Sequence, residues 1–149
     1  MLRWENGLIF RGGAIIIGNE VVVKYTKMRG IDDYKIHCFH GKAKVILVCQ
    51  NRFSDIGMSE SFFDTDWNYL ELSRSGKTTT RLIEKPCCLS EMIEIAETLS
   101  NKIPFTRVDF YQVDSRPYFG EITLYPASGF EKFIPDMWDE KLGSYIELT

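Results

Sequence analysis

Two acidic residues stand in a stretch that otherwise reads as paired strands. In RVDFYQVDSRPYFGEIT, residues 107–123, Asp109 and Glu121 sit among Val, Phe, Tyr, Ile and Thr, the residue types of a pleated, half-buried surface. Strand side chains alternate between faces. Arg107, Asp109 and Tyr111 therefore share one face of the first strand, and Phe119, Glu121 and Thr123 one face of the second. With Asp114, Ser115 and Arg116 as a three-residue hairpin loop, Asp109 falls opposite Glu121 and Arg107 opposite Thr123. A two-residue loop puts the two carboxylates on opposite faces. Directly opposed like charges disfavour folding unless a bound proton, an arginine or a hard cation compensates them. Mg²⁺ suits such a pair, because it takes one or two carboxylates, several waters and the phosphate oxygens of a nucleotide. The alternative is a solvated sheet face on which both acids merely balance Arg107 and nearby lysines. Periodicity alone weighs the two readings alike.

These residues need a scaffold, and the pattern predicts an α+β domain with a largely antiparallel sheet. GAIII turns at Gly18 and Asn19 into EVVVKYT, and DYKIHCF turns at His40 and Gly41 into KAKVILV. A turn-rich gap runs from Arg52 to about Arg81. Leu89, Met92, Ala96 and Leu99 then recur on one helix face, with Ser90 placed to cap and Glu91 in the first turn, so a helix is expected over 90–101. Strands follow over 105–113 and 117–124, and a last helix over 137–146, after Pro135.

The chain has 149 residues, 44% of them hydrophobic and 13% aromatic, which is one ordinary domain with enough apolar material for a core. Its net charge of −3, with no basic block or stripe, argues against a nucleic-acid surface. Apolar runs such as AIII and VILVC are too short to span a bilayer, and MLRWENGLIF has no signal-peptide core, so a cytoplasmic protein is expected. The four cysteines show no C-x-x-C spacing and read as buried thiols. HCFHGK invites a zinc reading with Cys38, but His40-Gly41 is better explained as a hairpin tip.

Other motifs weaken on inspection. SGKTTT, 75–80, resembles the tail of a P-loop, yet Glu71 occupies the place of the required first glycine. FFDTDWNYL offers Asp64 and Asp66 beside Trp67 as an acceptor site, against the plainer reading of an aromatic anchor flanked by solvated acids. In YPASGF, 125–130, Gly129 permits an unusual backbone angle, and the loop either holds an anion on its amides or simply turns the chain.

Taken in order, DYKIHCFHGKAKVILV, FFDTDWNYL, EKPCCLSEMIEIAETLS, RVDFYQVDSRPYFGEITLYPASGF and FIPDMWDEKLGSYIEL resemble the TupA-like ATP-grasp family from about Val21 to the C-terminus. The resemblance implies an ATP- and Mg²⁺-dependent ligase that activates a carboxylate as an acyl phosphate for attack by an amine or similar nucleophile. It also implies a place in the biosynthesis of bacterial cell-surface polysaccharide or teichuronopeptide-like polymers, with a nucleotide and a polymer precursor as substrates. By the same resemblance Asp109 (the acid of R-V-D) and Glu121 (the acid of G-E-I-T) are metal ligands. Arg107 faces the transferring phosphoryl group, and Lys35 of D-Y-K touches nucleotide phosphate. Thr123 stands where many ATP-grasp enzymes carry an asparagine ligand, and Lys24 near a glutamate that meets adenine or ribose. Residues 1–20 match nothing placed in the family, whose fold has an upstream portion with a further nucleotide-binding lysine. The chain is thus expected to be partial at its N-terminus, either a ligase portion or an inactive paralogue serving as a binding or assembly module. An open sheet face and a homo-oligomer, or a partner supplying the missing half, are expected with it.

Overall fold

Alternating apolar residues on both sides of a left-handed turn dictate the central hairpin. β3 (Asp33–Phe39) and β4 (Lys42–Gln50) pair antiparallel about His40 and Gly41, whose φ of 48° and 76° suit the tight turn of a two-residue hairpin. A computed structural model describes residues 15–17, 20–22, 32–51, 57–74, 79 and 82–147. Ahead of the hairpin, β1 (Ile15–Ile17) and β2 (Glu20–Val22) pair antiparallel, in the register expected for a turn at Gly18-Asn19. Lys24 and the glycine and lysine of SGKTTT lie outside the described residues.

The gap read as turn-rich contributes strands. β5 (Ser59–Phe63) pairs with β4, β6 (Tyr69–Leu70) pairs with β5, and β7 (Ser73–Arg74) leaves the sheet to pair with a strand near the C-terminus. On the other side of β3 come β8 (Phe105–Val113) and β9 (Arg116–Thr123), completing a six-stranded sheet in the order β6-β5-β4-β3-β8-β9. β10 (Phe133–Ile134), the partner of β7, and a short helix follow.

Among the described residues two α-helices cover the sheet, one on each face. α1 (Leu89–Leu99) buries Leu89, Met92 and Ala96 against Tyr34, Ile36, Ile46, Val48, Val108 and Phe110. Leu99, expected on that face, is 39% exposed. Cys88 rather than Ser90 precedes the helix, and no side chain caps it. α2 (Met137–Gly143), shorter than the 137–146 expected, sets Trp138 and Leu142 on Phe39, Val45, Leu47 and Phe62 of the opposite face. Trp67 stacks on Phe63 at 4.3 Å and donates its indole N–H to the Ile83 carbonyl, while Asp64 accepts from the amides of Asp66 and Asn68. FFDTDWNYL is therefore an aromatic anchor beside an acid-capped turn. Three cysteines are buried and Cys87 is exposed, against the expectation of four buried thiols. Burial pushes the Cys38 and Cys49 thiols up to about 11, so both are protonated at neutral pH. Among the described residues no helix is long and apolar enough to cross a membrane.

Candidate functional site

The face under α2 is apolar at one end and charged at the other. Strand register dictates this. Lys35 pairs with Asp109, His37 with Arg107 and Phe39 with Phe105 across β3 and β8, while Cys49 of β4 pairs with Glu60 of β5. The row thus runs from aromatic to ionic along two neighbouring strands.

A β-bulge completes the site. The β8–β9 hairpin loop is Asp114 and Ser115 alone, both left-handed, so Val113 pairs with Arg116 and Phe110 with Phe119. The three-residue loop expected from the sequence is not formed. The register then shifts between Val108 and Phe110, so that Val108 pairs with Ile122 and Arg107 with Thr123. Gly120 occupies the irregularity, where an added Cβ would lie 3.1 Å from the Asp109 carbonyl oxygen and 3.2 Å from the Tyr111 ring. The extra β9 residue reverses the parity a two-residue loop would impose. Glu121 and Thr123 therefore reach Arg107, while Phe119 packs on Phe110 at the α1 side instead of sharing their face.

Arg107 holds the acids together. Its Nε donates to Asp109 Oδ1 at 2.7 Å. Its Nη2 donates to Asp109 Oδ2 at 2.8 Å, Glu121 Oε1 at 2.8 Å and Thr123 Oγ1 at 3.0 Å. Lys35 Nζ adds a bond to Asp109 Oδ2 at 2.5 Å and lies 3.6 Å from Asp33. Asp109 is 3% exposed, whereas the Glu121 side chain is 63% exposed. The simple solvated face is thereby excluded for Asp109, and so is the expected openness at Lys35 and Asp109. Arginine, one of the compensators weighed for the pair, bridges the two acids, and lysine assists it at Asp109. Among the described residues no group of three or more His, Cys, Asp or Glu side chains is placed to hold a metal. Oxygens of Asp109, Glu121 and Thr123 nevertheless converge on one point where a positive group sits, and that donor set fits a hard cation.

A second ionic cluster adjoins the first, and sequence reasoning missed it. Arg74 of β7 bonds Glu60 through Nε at 2.7 Å and through Nη2, and reaches Glu131 through Nη1. Glu60 is 0% exposed. Burial pulls the Arg74 pKa down, but the bonds and charges of the two glutamates outweigh it and the net shift is upward. The alternation of Glu60 with Phe62 in SESFF was a strand signal that could have exposed Glu60. Arg74 had none.

His37 lies between the apolar and charged ends, 5% exposed. Its pKa falls to about 4, mainly from burial and then from Arg107, with Asp109 and the Val45 backbone opposing the shift and Arg74 adding to it. In the unfolded chain the imidazole takes up a proton below about 6.5, while the folded protein excludes it down to about 4. Stability should therefore fall as pH drops through this window, by about 2 kcal/mol between roughly pH 6.5 and 5. Urea unfolding at these pH values should show the slope in wild type and lose it in His37→Phe; an equal slope in both would refute the assignment.

The YPASGF loop follows β9 directly. Ala127, Ser128 and Gly129 are all left-handed, with φ of 48°, 58° and 81°, so the unusual geometry extends beyond the glycine. A family model described as TupA-like ATPgrasp matches residues 15–147. No curated protein and no solved structure matches the chain.

Proposed function

Because the chain belongs to the TupA-like ATP-grasp family, we propose that it acts as an ATP- and Mg²⁺-dependent ligase domain whose centre is the Lys35–Arg107–Asp109–Glu121 cluster. The family points to ATP-dependent, ligase-like chemistry, and ATP-grasp proteins generally use ATP and Mg²⁺. The observation that carries the proposal is the convergence of Asp109, Glu121 and Thr123 oxygens on one positive group. Asp109 and Glu121 would hold a Mg²⁺ ion, which would neutralise charge on phosphate oxygens. Arg107, poised between both carboxylates, balances negative charge developing on a transferring phosphoryl group. Lys35 adds a positive charge on the same face for nucleotide phosphate. Burial of Asp109 keeps this array in low dielectric, where each charge acts more strongly than in water. The reaction is joining of a carboxylate, activated as acyl phosphate, to an amine-type acceptor in cell-surface polysaccharide or teichuronopeptide-like polymer synthesis.

One observation favours a second reading. Arg107 and Lys35 already neutralise Asp109 without any added ion, as a catalytically inactive assembly module would need. Calorimetry with ATP or ADP in Mg²⁺ separates the two. The ligase reading expects saturable nucleotide binding that weakens at least about tenfold in Arg107→Met, the loss of one charged hydrogen-bond partner. No binding heat with either nucleotide would overturn it for this chain and leave the assembly module.

A further inference from the structure

The oxygen of Asp109 that faces Glu121 and Thr123 is already taken. Asp109 Oδ2 accepts Arg107 Nη2 at 2.8 Å and Lys35 Nζ at 2.5 Å, while Oδ1 accepts Arg107 Nε at 2.7 Å. Two donors fill the lone-pair directions of Oδ2. A cation ligated there would share that one oxygen with the Lys35 ammonium, and like charges on one nearly buried oxygen repel strongly. Lys35 must therefore have somewhere else to go.

Asp33 offers that place. It lies two residues before Lys35 on the same face of β3, with Oδ2 3.6 Å from Nζ and the whole residue 3% exposed. A charge-assisted hydrogen bond spans about 2.7–2.9 Å, so a movement of under about 1 Å turns the looser contact into the closer one. The flexible lysine stem allows it. Arg107 is less free to leave. Its other acceptors are Glu121 and Thr123, and a fuller bond to either would take an oxygen from the converging set.

We propose that Asp33 is a positioning residue that receives the Lys35 ammonium when Asp109 takes up a divalent cation. The inference rests on the ligase reading for that cation. Lys35 then neutralises Asp109 in the metal-free fold and exchanges one buried carboxylate for the other on loading, so no charge is stranded in either state. Seated on Asp33, the ammonium keeps two of its three N–H donors for nucleotide phosphate. The cluster has charge to spare for this, because the carboxylates of Asp33, Asp109 and Glu121 outnumber the cations Lys35 and Arg107 by one.

The exchange can be forced without metal, since Asp109→Asn removes the charge that holds Lys35. A double-mutant cycle of Asp33→Asn and Lys35→Met, read by urea unfolding, gives the Asp33–Lys35 coupling in wild type and again in Asp109→Asn. That coupling, as a ratio of unfolding constants, should be at least about fivefold larger in the Asp109→Asn background. A fixed ion pair would show equal coupling in both, and equal or smaller coupling overturns the proposal. Calorimetry with ADP in Mg²⁺ supplies the second measurement. Asp33→Asn should weaken binding at least about fivefold in the wild-type background, yet have no further effect once Lys35→Met has removed the competing ammonium. A merely structural Asp33 would weaken binding in both backgrounds. Nucleotide binding that ignores Asp33→Asn would overturn the proposal and keep the ligase reading. Absence of nucleotide binding would sink the ligase reading; the exchange then stands on an enlarged coupling in Asp109→Asn, and falls if that coupling is unchanged or that variant does not fold.

Discussion

Arg74→Met should destabilise the protein by about 3–5 kcal/mol, the range for removing one partner of a buried ion pair, and lower Tm by roughly 10 °C for a domain of this length. Glu60 is the reason. With 0% exposure it cannot turn to water, and Cys49 Sγ, 4.0 Å away, is a poor substitute for a guanidinium. Arg74 also ties β5 and β7 to Glu131, so its loss should loosen the segment that carries Glu131 as well. Adding Glu60→Gln to Arg74→Met should recover much of the loss, because the stranded charge is then gone while the amide keeps its shape. Urea unfolding of both single variants and the double variant measures this. A loss below about 1 kcal/mol for Arg74→Met would show that Glu60 is held by something other than Arg74.

The elements of the sheet that carry Lys35, Arg107 and Asp109 were legible because strict alternation and turn residues coincide there. DYKIHCF and KAKVILV flank a left-handed His-Gly turn, and the observed strands follow those bounds closely. The pairing of Arg107 with Thr123 was also expected, but through the wrong device. Loop length and bulge are interchangeable in parity, since each adds one residue to a strand connection. Only backbone geometry distinguishes Asp114-Ser115 plus a bulge at Gly120 from a three-residue loop.

The Arg52–Arg81 stretch was misread because its signals are short. β6 and β7 hold two residues each, too few for any period, and β5 is bracketed by Gly57 and the Asp64 turn. Long-range pairing, not local propensity, makes them strands. Arg74 could not be found at all from sequence, since its role exists only where β7 meets β10 and folds back over Glu60. His37 was legible as a strand residue. That its buried Nδ1 has no hydrogen-bond partner depends on what packs around it, which no spacing encodes.

Asp109→Asn should cost about 3 kcal/mol in metal-free protein, because a nearly buried carboxylate between two cations is being removed. The sequence alone pointed the other way, toward a neutral or slightly stabilising change that relieves repulsion between two acids. Arg107 and Lys35 overturn that expectation by supplying the compensating charge. Asparagine leaves both cations, with side chains 12% and 11% exposed, short of their shared partner. Glu121→Gln should behave differently, losing less than about 1 kcal/mol, since a side chain 63% exposed is solvated either way. Metal separates the two variants again. If both acids hold one Mg²⁺ ion beside nucleotide, ADP with about 10 mM Mg²⁺ should raise wild-type stability by at least about 1 kcal/mol, the mass-action gain for a ligand several-fold above its Kd. Both variants should lose most of that increment, and the double variant should lose scarcely more than either, because a shared ion can be forfeited only once. Glu121→Gln is the more informative probe, as it removes a ligand without unsettling Arg107 in the metal-free fold. A metal increment that survives in Glu121→Gln would detach Glu121 from the cation; survival in both variants would mean the converging oxygens serve Arg107 alone.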